Sequence, residues 1–361
     1  IEHIASILAP CLRLEKPSNL FLYGKTGTGK TLSVKYVRDQ LIETSKKKNI
    51  PLVIAYINCK LKRVADTEYR LIAQLAREVG SEVPPTGLPT DEVYRIFLNK
   101  IDNEKKVLIL ILDEIDHLVK KADDEILYNL TRLSAELKNV NISIVGISND
   151  LVFRDNLDPR VKSSLSEEEI HFPPYNALQL QEILKQRAEM AFRKQVISEG
   201  VIEKCAAYAA KEHGDARRAL ELLRVAGELA ERKNESKILM NHIDDAEEKI
   251  DRDRIIEAIH MQPKQFQVTM LSILTLALRS DKPIFTGDLY DIYKEFCTRS
   301  GLKPLTQRRV SDIIAELDML GIINSKVISK GRYGRTREIG LAIPNSTTLT
   351  LNQSLKDGLN I

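Results

Sequence analysis

The sequence predicts an α/β chain in which a five-stranded parallel sheet is followed by an all-helical domain and then by a helical domain closed with a hairpin. Three observations predict it. Between residues 20 and 172, short apolar runs alternate with helix-length amphipathic stretches, the rhythm of a sheet covered by helices on both faces. After Pro173-Pro174 the strand signal stops. Near the C-terminus, helical patterns give way to two strand-like runs around Gly331-Arg332-Tyr333-Gly334. A chain of 361 residues, 43% apolar and 29% charged, has room for two or three domains. The patterning resolves three, at 1–175, 176–252 and 253–361.

The strands expected in the first domain are 20–23, 52–58, 107–112, 142–146 and 169–172. Residues 67–79 read as a helix, followed by a Gly- and Pro-rich run at 80–89 and a second helix capped by Thr90. That makes 64–92 longer than a single crossover needs, so it reads as an insertion. In the second domain, Leu180, Ile183, Leu184, Arg187 and Ala188 follow one helical period. Ala219, Leu222, Leu223, Ala226 and Leu229 follow another, and the polar stretch 230–237 separates it from the next helix. The charged run 247–254 suits a solvated connecting helix. Beyond it come three helical patterns and the hairpin, the order of a winged helix.

Composition excludes several classes. The 54 basic and 51 acidic residues leave a net charge of +3, so bulk charge makes no case for a polyanion binder. Cysteines 11, 59, 205 and 297 form no C-x-x-C pair, which argues for a reducing compartment and against a disulfide framework or structural zinc. The longest apolar run, 107–112, is far short of a bilayer span. The chain starts at Ile1 without a basic-then-apolar leader, and that start reads as a trimmed end. A cytoplasmic protein is expected.

Gly24-Lys25-Thr26-Gly27-Thr28-Gly29-Lys30-Thr31 satisfies G-x-x-x-x-G-K-[ST], between an apolar strand and the helical run containing Leu32, Val34, Val37 and Leu41. Glycines let successive N–H groups turn toward phosphate oxygens at a helix N-terminus, where the helix dipole also favours negative charge. Lys25, Thr26, Gly27, Thr28, Gly29, Lys30, Thr31 and Leu32 are therefore the candidate ATP/ADP-binding residues. Lys30 would reach the β- and γ-phosphates and Thr31 would bind Mg²⁺. The apolar run 107–112 ends in Asp113-Glu114-Ile115-Asp116. Asp113 is the second Mg²⁺ candidate, and Glu114 is placed to orient or deprotonate the attacking water. Strand ends emerging into solvent also carry acids, but the phosphate-loop strand upstream favours the catalytic reading.

Three weaker signals accompany this site. The strand at 142–146 leads to Ser148-Asn149-Asp150, where Asn149 could hydrogen-bond the water or γ-phosphate, although these are also ordinary loop residues. Asp158-Pro159-Arg160 opens a short helix with Arg160 in its first turn, unfavourable for the helix dipole and so available for another task. Gly214-Asp215-Ala216-Arg217-Arg218 opens a helix capped by Asp215, from which Arg217 could reach the γ-phosphate or simply face solvent.

Charge is segregated along the chain. Residues 303–337 hold 8 Lys/Arg against 3 Asp/Glu, a +5 patch set against −2 elsewhere. Thr306 is a candidate cap for a helix with Val310, Ile313, Ile314, Leu317 and Leu320 on its apolar face. Gln307, Arg308 and Arg309 occupy its exposed first turn, which in a helix-turn-helix protein meets base edges. Lys326, Lys330, Arg332, Arg335 and Arg337, with Tyr333 and Gly334, form a basic hairpin suited to phosphates or a minor groove. Such a hairpin can also serve only to keep an edge strand soluble.

Together, the phosphate loop, Asp113-Glu114-Ile115-Asp116, Asn149, Arg160 and Gly214-Asp215-Ala216-Arg217-Arg218 resemble the AAA+ superfamily. The phrases at 158–164 and 214–220, with a C-terminal winged helix, look more narrowly like archaeal replication initiators related to the origin recognition complex and the helicase-loading factor. That resemblance implies an AAA+ domain, an all-helical lid and a winged helix. By the family's pattern Asn149 becomes sensor 1, Arg160 an arginine finger directed at a neighbouring subunit's nucleotide, and Arg217 sensor 2. Within the insertion at 64–92, residues 80–89 become a second DNA contact, with Pro84, Pro85, Thr86 and Gly87 as its candidate residues. The adenine-contacting segment falls at or before the first residues, so no base-binding residue is assigned.

The function expected is an ATP-dependent initiator and weak ATPase, with hydrolysis acting as a switch. It would bind double-stranded origin DNA, assemble with other initiator subunits and help recruit the replicative helicase. Two alternatives share the motifs. A ring-forming branch-migration ATPase would be a hexamer on DNA, and a transcription regulator using ATP as a structural ligand would be indifferent to Glu114→Gln. A clamp loader fits less well, because the C-terminal unit looks like a DNA reader.

Overall fold

The structure is a computed structural model that describes residues 1–60, 67–84, 87–165, 167–280, 282–329 and 335–361. It divides into two compact units, Ile1–Arg224 with Ser236–Met240, and Val225–Glu235 with Asn241–Ile361.

In the first unit, helices α1 (Glu2–Leu8) and α2 (Lys30–Lys48) flank strand β1 (Leu20–Gly24) in sequence. There follow β2 (Leu52–Asn58), α3 (Glu68–Glu78), α4 (Thr90–Ile101), β3 (Lys106–Asp113), α5 (Ile115–Ala122) and α6 (Glu125–Glu136). Strand β4 (Val140–Ser148), α7 (Pro159–Leu165) and β5 (Glu168–Phe172) complete the α/β part. The five strands pair in parallel, as the alternating pattern predicts, and their order is β2-β3-β4-β1-β5, which the pattern does not specify.

Strand β3 shows why its residues form a central strand. From Val107 to Asp113 every side chain is buried, and successive side chains point to opposite faces. Val107, Ile109 and Ile111 pack with Val34, Val37 and Leu41 of α2 and with Ile4 and Leu8 of α1. Leu108, Leu110 and Leu112 pack with Leu71 and Leu75 of α3, Val93 and Phe97 of α4, and Leu127 and Leu130 of α6. Parallel register then sets Tyr23 beside Ser148 and Ile147 beside Asp113. The C-terminal ends of β1, β3 and β4 therefore open at one edge, where open α/β sheets hold ligands.

Helices α8 (Ala177–Ala191), α9 (Val201–Glu212), α10 (Ala216–Arg232) and α11 (Met240–His260) follow. Helix α10 runs past the expected break at 230, because Ala230 is buried and continues its apolar face. Helix α11 passes unbroken through 252–253. Thr90 is the first helical residue of α4, preceded by Pro89 as the cap, so the expected Thr90 cap is displaced by one residue.

The second unit contains α12 (Lys264–Arg279), β6 (Ile284–Phe285), α13 (Thr286–Arg299), α14 (Gln307–Met319), β7 (Ile323–Ser329), β8 (Arg335–Leu341) and α15 (Asn345–Leu359). The strands pair antiparallel in the order β6-β8-β7. Two of these elements, β6 and α15, extend the three helices and hairpin expected from sequence. Leu351, Leu355 and Leu359 of α15 share one core with Val310, Ile313, Ile314 and Leu317 of α14. Leu320 leaves that face: it caps the end of α14 and is half exposed, contrary to its expected place in the apolar stripe. Among the described residues no helix is long and apolar enough to cross a membrane.

Candidate functional site

Strand β1 delivers the glycine loop directly to the N-terminus of α2. Gly29 adopts φ +87° as the cap of α2 and Gly27 adopts φ +72°, conformations that side-chain-bearing residues rarely take. A Cβ at Gly27 would lie 1.6 Å from Asp215 Oδ1, so only glycine permits this approach of the loop to the start of α10. The two segments are also joined by the Ala216 amide, which donates to the Gly27 carbonyl at 3.3 Å. Asp215 caps α10 by accepting from the Arg217 amide at 2.7 Å. Lys25, Thr26 and Leu32 are exposed, whereas Thr28 is buried and donates to the Lys25 carbonyl at 2.9 Å.

Lys30 is buried and donates from Nζ to the carbonyls of Gly24 at 2.8 Å and Lys25 at 2.7 Å. Burial pushes its pKa down to about 8, against the pull of Asp113 and with the further push of Arg217. Arg217 at the first turn of α10 thus acts electrostatically on the phosphate-loop lysine. Thr31 Oγ1 donates to Asp113 Oδ2 at 3.0 Å and reaches Oδ1 at 3.2 Å. Thr31 Oγ1 and the Asp113 carboxylate are hard oxygen donors of the kind that would suit Mg²⁺.

Glu114 follows Asp113 with φ +55° and caps α5. Its carboxylate lies 3.5 Å from Lys60 Nζ and 3.6 Å from His117 Nε2, and it stays partly exposed. Asn149 comes directly after β4 and two residues beyond the register partner of Asp113. The end of β4 is fixed by Ser148, whose Oγ donates to buried Asp116 at 3.1 Å. Lys30, Thr31, Asp113, Glu114 and Asn149 therefore cluster at the sheet edge, with Arg217 close enough to perturb Lys30. Arg160 has other partners: it donates to Asp158 at 3.0 and 3.1 Å and lies 5.0 Å from the Tyr128 ring.

Two further residues at this site escaped sequence reasoning. Tyr56 of β2 donates from its hydroxyl to Asp113 Oδ2 at 2.6 Å. The Tyr175 hydroxyl lies 2.5 Å from where a Cβ on Gly29 would stand. Neither carries a local signature, since an isolated tyrosine reads as core.

In the insertion, Tyr69 donates to the Pro84 carbonyl at 2.9 Å and Arg77 donates to the carbonyl of buried Val83 at 3.2 and 3.3 Å. Gly87 adopts φ +108° with open space where a Cβ would stand. Pro85 and Thr86 lie outside the described residues, as do 64–66.

In the second unit, Thr306 caps α14 as expected, accepting from the Arg309 amide at 3.4 Å. Gln307, Arg308 and Arg309 are all exposed, and Arg309 lies 3.5 Å from Asp312. In the hairpin, Val327 pairs with Arg337 and Lys326 with Glu338, so Lys326 and Arg337 point to opposite faces. Arg337 is half-buried and donates to Ser325 Oγ at 3.2 Å, while Lys326 is exposed. Lys330, Arg332, Tyr333 and Gly334 lie outside the described residues, and of Arg335 only the backbone, paired with Ser329, is described.

Three family models match successive parts of the chain: an AAA domain at 13–152, a Cdc6 AAA+ ATPase-type lid domain at 181–248, and a CDC6 C-terminal winged helix domain at 257–350. The ORC1-type DNA replication protein of Pyrococcus furiosus is 56% identical over 347 residues, covering 95% of this chain and 82% of that one. The chain belongs to the archaeal ORC1/Cdc6 family of replication initiators. Another of its members, ORC1-type DNA replication protein 1 of Methanosarcina mazei, is 52% identical over 350 residues, covering 96% of this chain and 84% of its own. The solved structure of the Aeropyrum pernix ORC1 protein in complex with DNA matches with a TM-score of 0.77 at 44% identity, over 99% of this chain and 91% of that one. The family architecture of AAA+ domain, Cdc6-type lid and winged helix is the one expected from the sequence.

Proposed function

We propose that the protein is a nucleotide-switched origin binder that grips double-stranded origin DNA and, with ATP bound, helps recruit or load the replicative helicase. One observation carries this reading. The glycine loop, the Thr31–Asp113 pair and the first turn of α10 meet in one place, so a nucleotide there touches both the α/β domain and the helix that begins the lid contact.

In this mechanism the loop amides and Lys30 would hold the phosphates, and Thr31 and Asp113 would hold Mg²⁺, whose chemistry would be to offset negative phosphate charge. Glu114 orients and deprotonates water, with Asn149 as a second polar contact. Arg217 reports the γ-phosphate to α10. Arg160 must leave Asp158 to serve a neighbouring subunit, so slow hydrolysis by an isolated chain is expected. ATP is then a switch between states and ADP the product that releases it. In the cytoplasm, at the nucleoid, the first turn of α14 and the basic hairpin would hold one repeat. The insertion would contact the same duplex. The Aeropyrum pernix ORC1 relative, solved in complex with DNA, supports a DNA-binding role.

Footprinting across genomic repeats with the wild type and Arg335→Ala, at several salt concentrations, tests the reading. Protected repeats that weaken in the variant are expected, and unprotected repeats would refute it.

A pH dependence follows from Lys30. With its pKa at about 8, the ammonium is largely deprotonated at pH 9, and triphosphate charge draws a proton back. Nucleotide binding is therefore expected to take up close to one proton at pH 9 and almost none through this group at pH 6.5. Affinity should fall as pH rises above 8, by up to about tenfold per unit. Calorimetry in two buffers of different ionisation enthalpy measures the uptake directly. A binding constant flat from pH 7 to 9.5 would overturn it.

A further inference from the structure

We propose that Tyr56 is a positioning residue for the cation-binding carboxylate of Asp113, an assignment that rests on the nucleotide-switch function proposed above. Tyr56 lies on β2, two residues before Asn58, which pairs with Asp113 in the parallel register. Its hydroxyl donates to Asp113 Oδ2 at 2.6 Å, the shortest of the contacts to that carboxylate. Thr31 donates to the same oxygen at 3.0 Å, and the Glu114 amide donates to Oδ1 at 3.0 Å.

The three donors are not equivalent. The Thr31 hydroxyl would itself be a ligand of the cation, so its position would be set by the metal as well as by Asp113. Tyr56 and the Glu114 amide then remain to fix the carboxylate, one on each oxygen. Such outer partners set the orientation and basicity of a ligating carboxylate.

The ring is held from the other side. Lys35 Nζ lies 4.5 Å from its centroid and Arg38 Cζ lies 5.9 Å away. Thr31, Lys35 and Arg38 are spaced four and three residues apart and so share one face of α2. Tyr56 therefore links the helix that carries Thr31 to the strand that carries Asp113.

Tyr56→Phe in the full chain removes the hydroxyl and keeps the ring contacts. A fluorescent, non-hydrolysable ATP analogue is titrated in EDTA and then across a Mg²⁺ series. The variant is expected to match the wild type in EDTA within about twofold, while the Mg²⁺ concentration for half-maximal tightening rises about tenfold. A purely structural tyrosine predicts the reverse, with lower melting temperature and weaker binding in EDTA but an unmoved Mg²⁺ midpoint. A second variant carrying 4-aminophenylalanine at position 56 restores a ring donor and is expected to restore the wild-type midpoint. If its midpoint moves as far as that of Tyr56→Phe, the donor is not the cause and the proposal is overturned. An unchanged midpoint in Tyr56→Phe beside a Mg²⁺-responsive wild type overturns the proposal alone. A wild type that binds no nucleotide overturns the function itself and this assignment with it.

Discussion

Replacing Glu114 by glutamine is expected to slow ATP hydrolysis by about 10²- to 10⁴-fold, the range for loss of a positioned general base, while nucleotide affinity stays within about threefold. The geometry separates the two effects. Lys30, Thr31 and Asp113 make their contacts without the Glu114 side chain, whose carboxylate faces Lys60 and His117 across 3.5 and 3.6 Å, and the Glu114 amide on Asp113 survives the substitution. Glutamine has the same shape and can occupy the same left-handed backbone position, φ +55°, at the same modest strain. What it lacks is the charge that accepts a proton from water. The measurement is single-turnover hydrolysis beside equilibrium binding, made at protein concentrations that allow subunits to meet on DNA. Equal hydrolysis in the two proteins would show that Glu114 is not the base and would favour ATP as a structural ligand. A large loss of binding would instead place Glu114 in holding the nucleotide.

The parts of this site legible in the sequence are those that lie close together along the chain. The glycine loop, Asp113-Glu114 at the end of an apolar run and the Thr306 cap are each fixed by spacings of a few residues, and each forms as expected. Tyr56 and Asp113 are 57 positions apart and meet only because β2 and β3 are neighbours in parallel register. Tyr175 reaches Gly29 through the fold alone. Helix α15 escaped for a different reason. Its run of Ser, Thr and Asn has weak helix propensity, and burial of Leu351, Leu355 and Leu359 against the second core overrides it. Leu320 shows the opposite failure, an apolar residue in helical phase just after its helix has ended.

For the DNA contact, affinity is expected to fall about 500-fold between 50 and 200 mM salt, the consequence of a log-log slope of about −4.5 for five neutralised phosphates. The hairpin register separates two of them. Lys326 and Arg337 point to opposite faces, so a hairpin lying flat on a duplex could bring only one of them to phosphate. A hairpin entering a groove edge-on meets phosphates of both strands, and Arg335, paired with Ser329, stands at the last described rung before its tip. Edge-on insertion predicts that Lys326→Ala, Arg335→Ala and Arg337→Ala each reduce the slope by about 0.9, on random DNA as on a specific repeat. Arg337→Ala should also lower the melting temperature, because its guanidinium donates to Ser325, which is itself bonded to Asp318. The exposed first turn of α14 predicts a different signature. Arg308→Ala should weaken the specific repeat by about 1–3 kcal/mol and leave binding to random DNA nearly unchanged. Slopes changed by only one of Lys326 and Arg337 would mean a flat hairpin. Arg308→Ala weakening both DNAs equally would move that residue from base edge to backbone. Because the two measurements respond to different atoms, salt slope and specificity ratio together locate the hairpin and α14 on the duplex independently of any footprint.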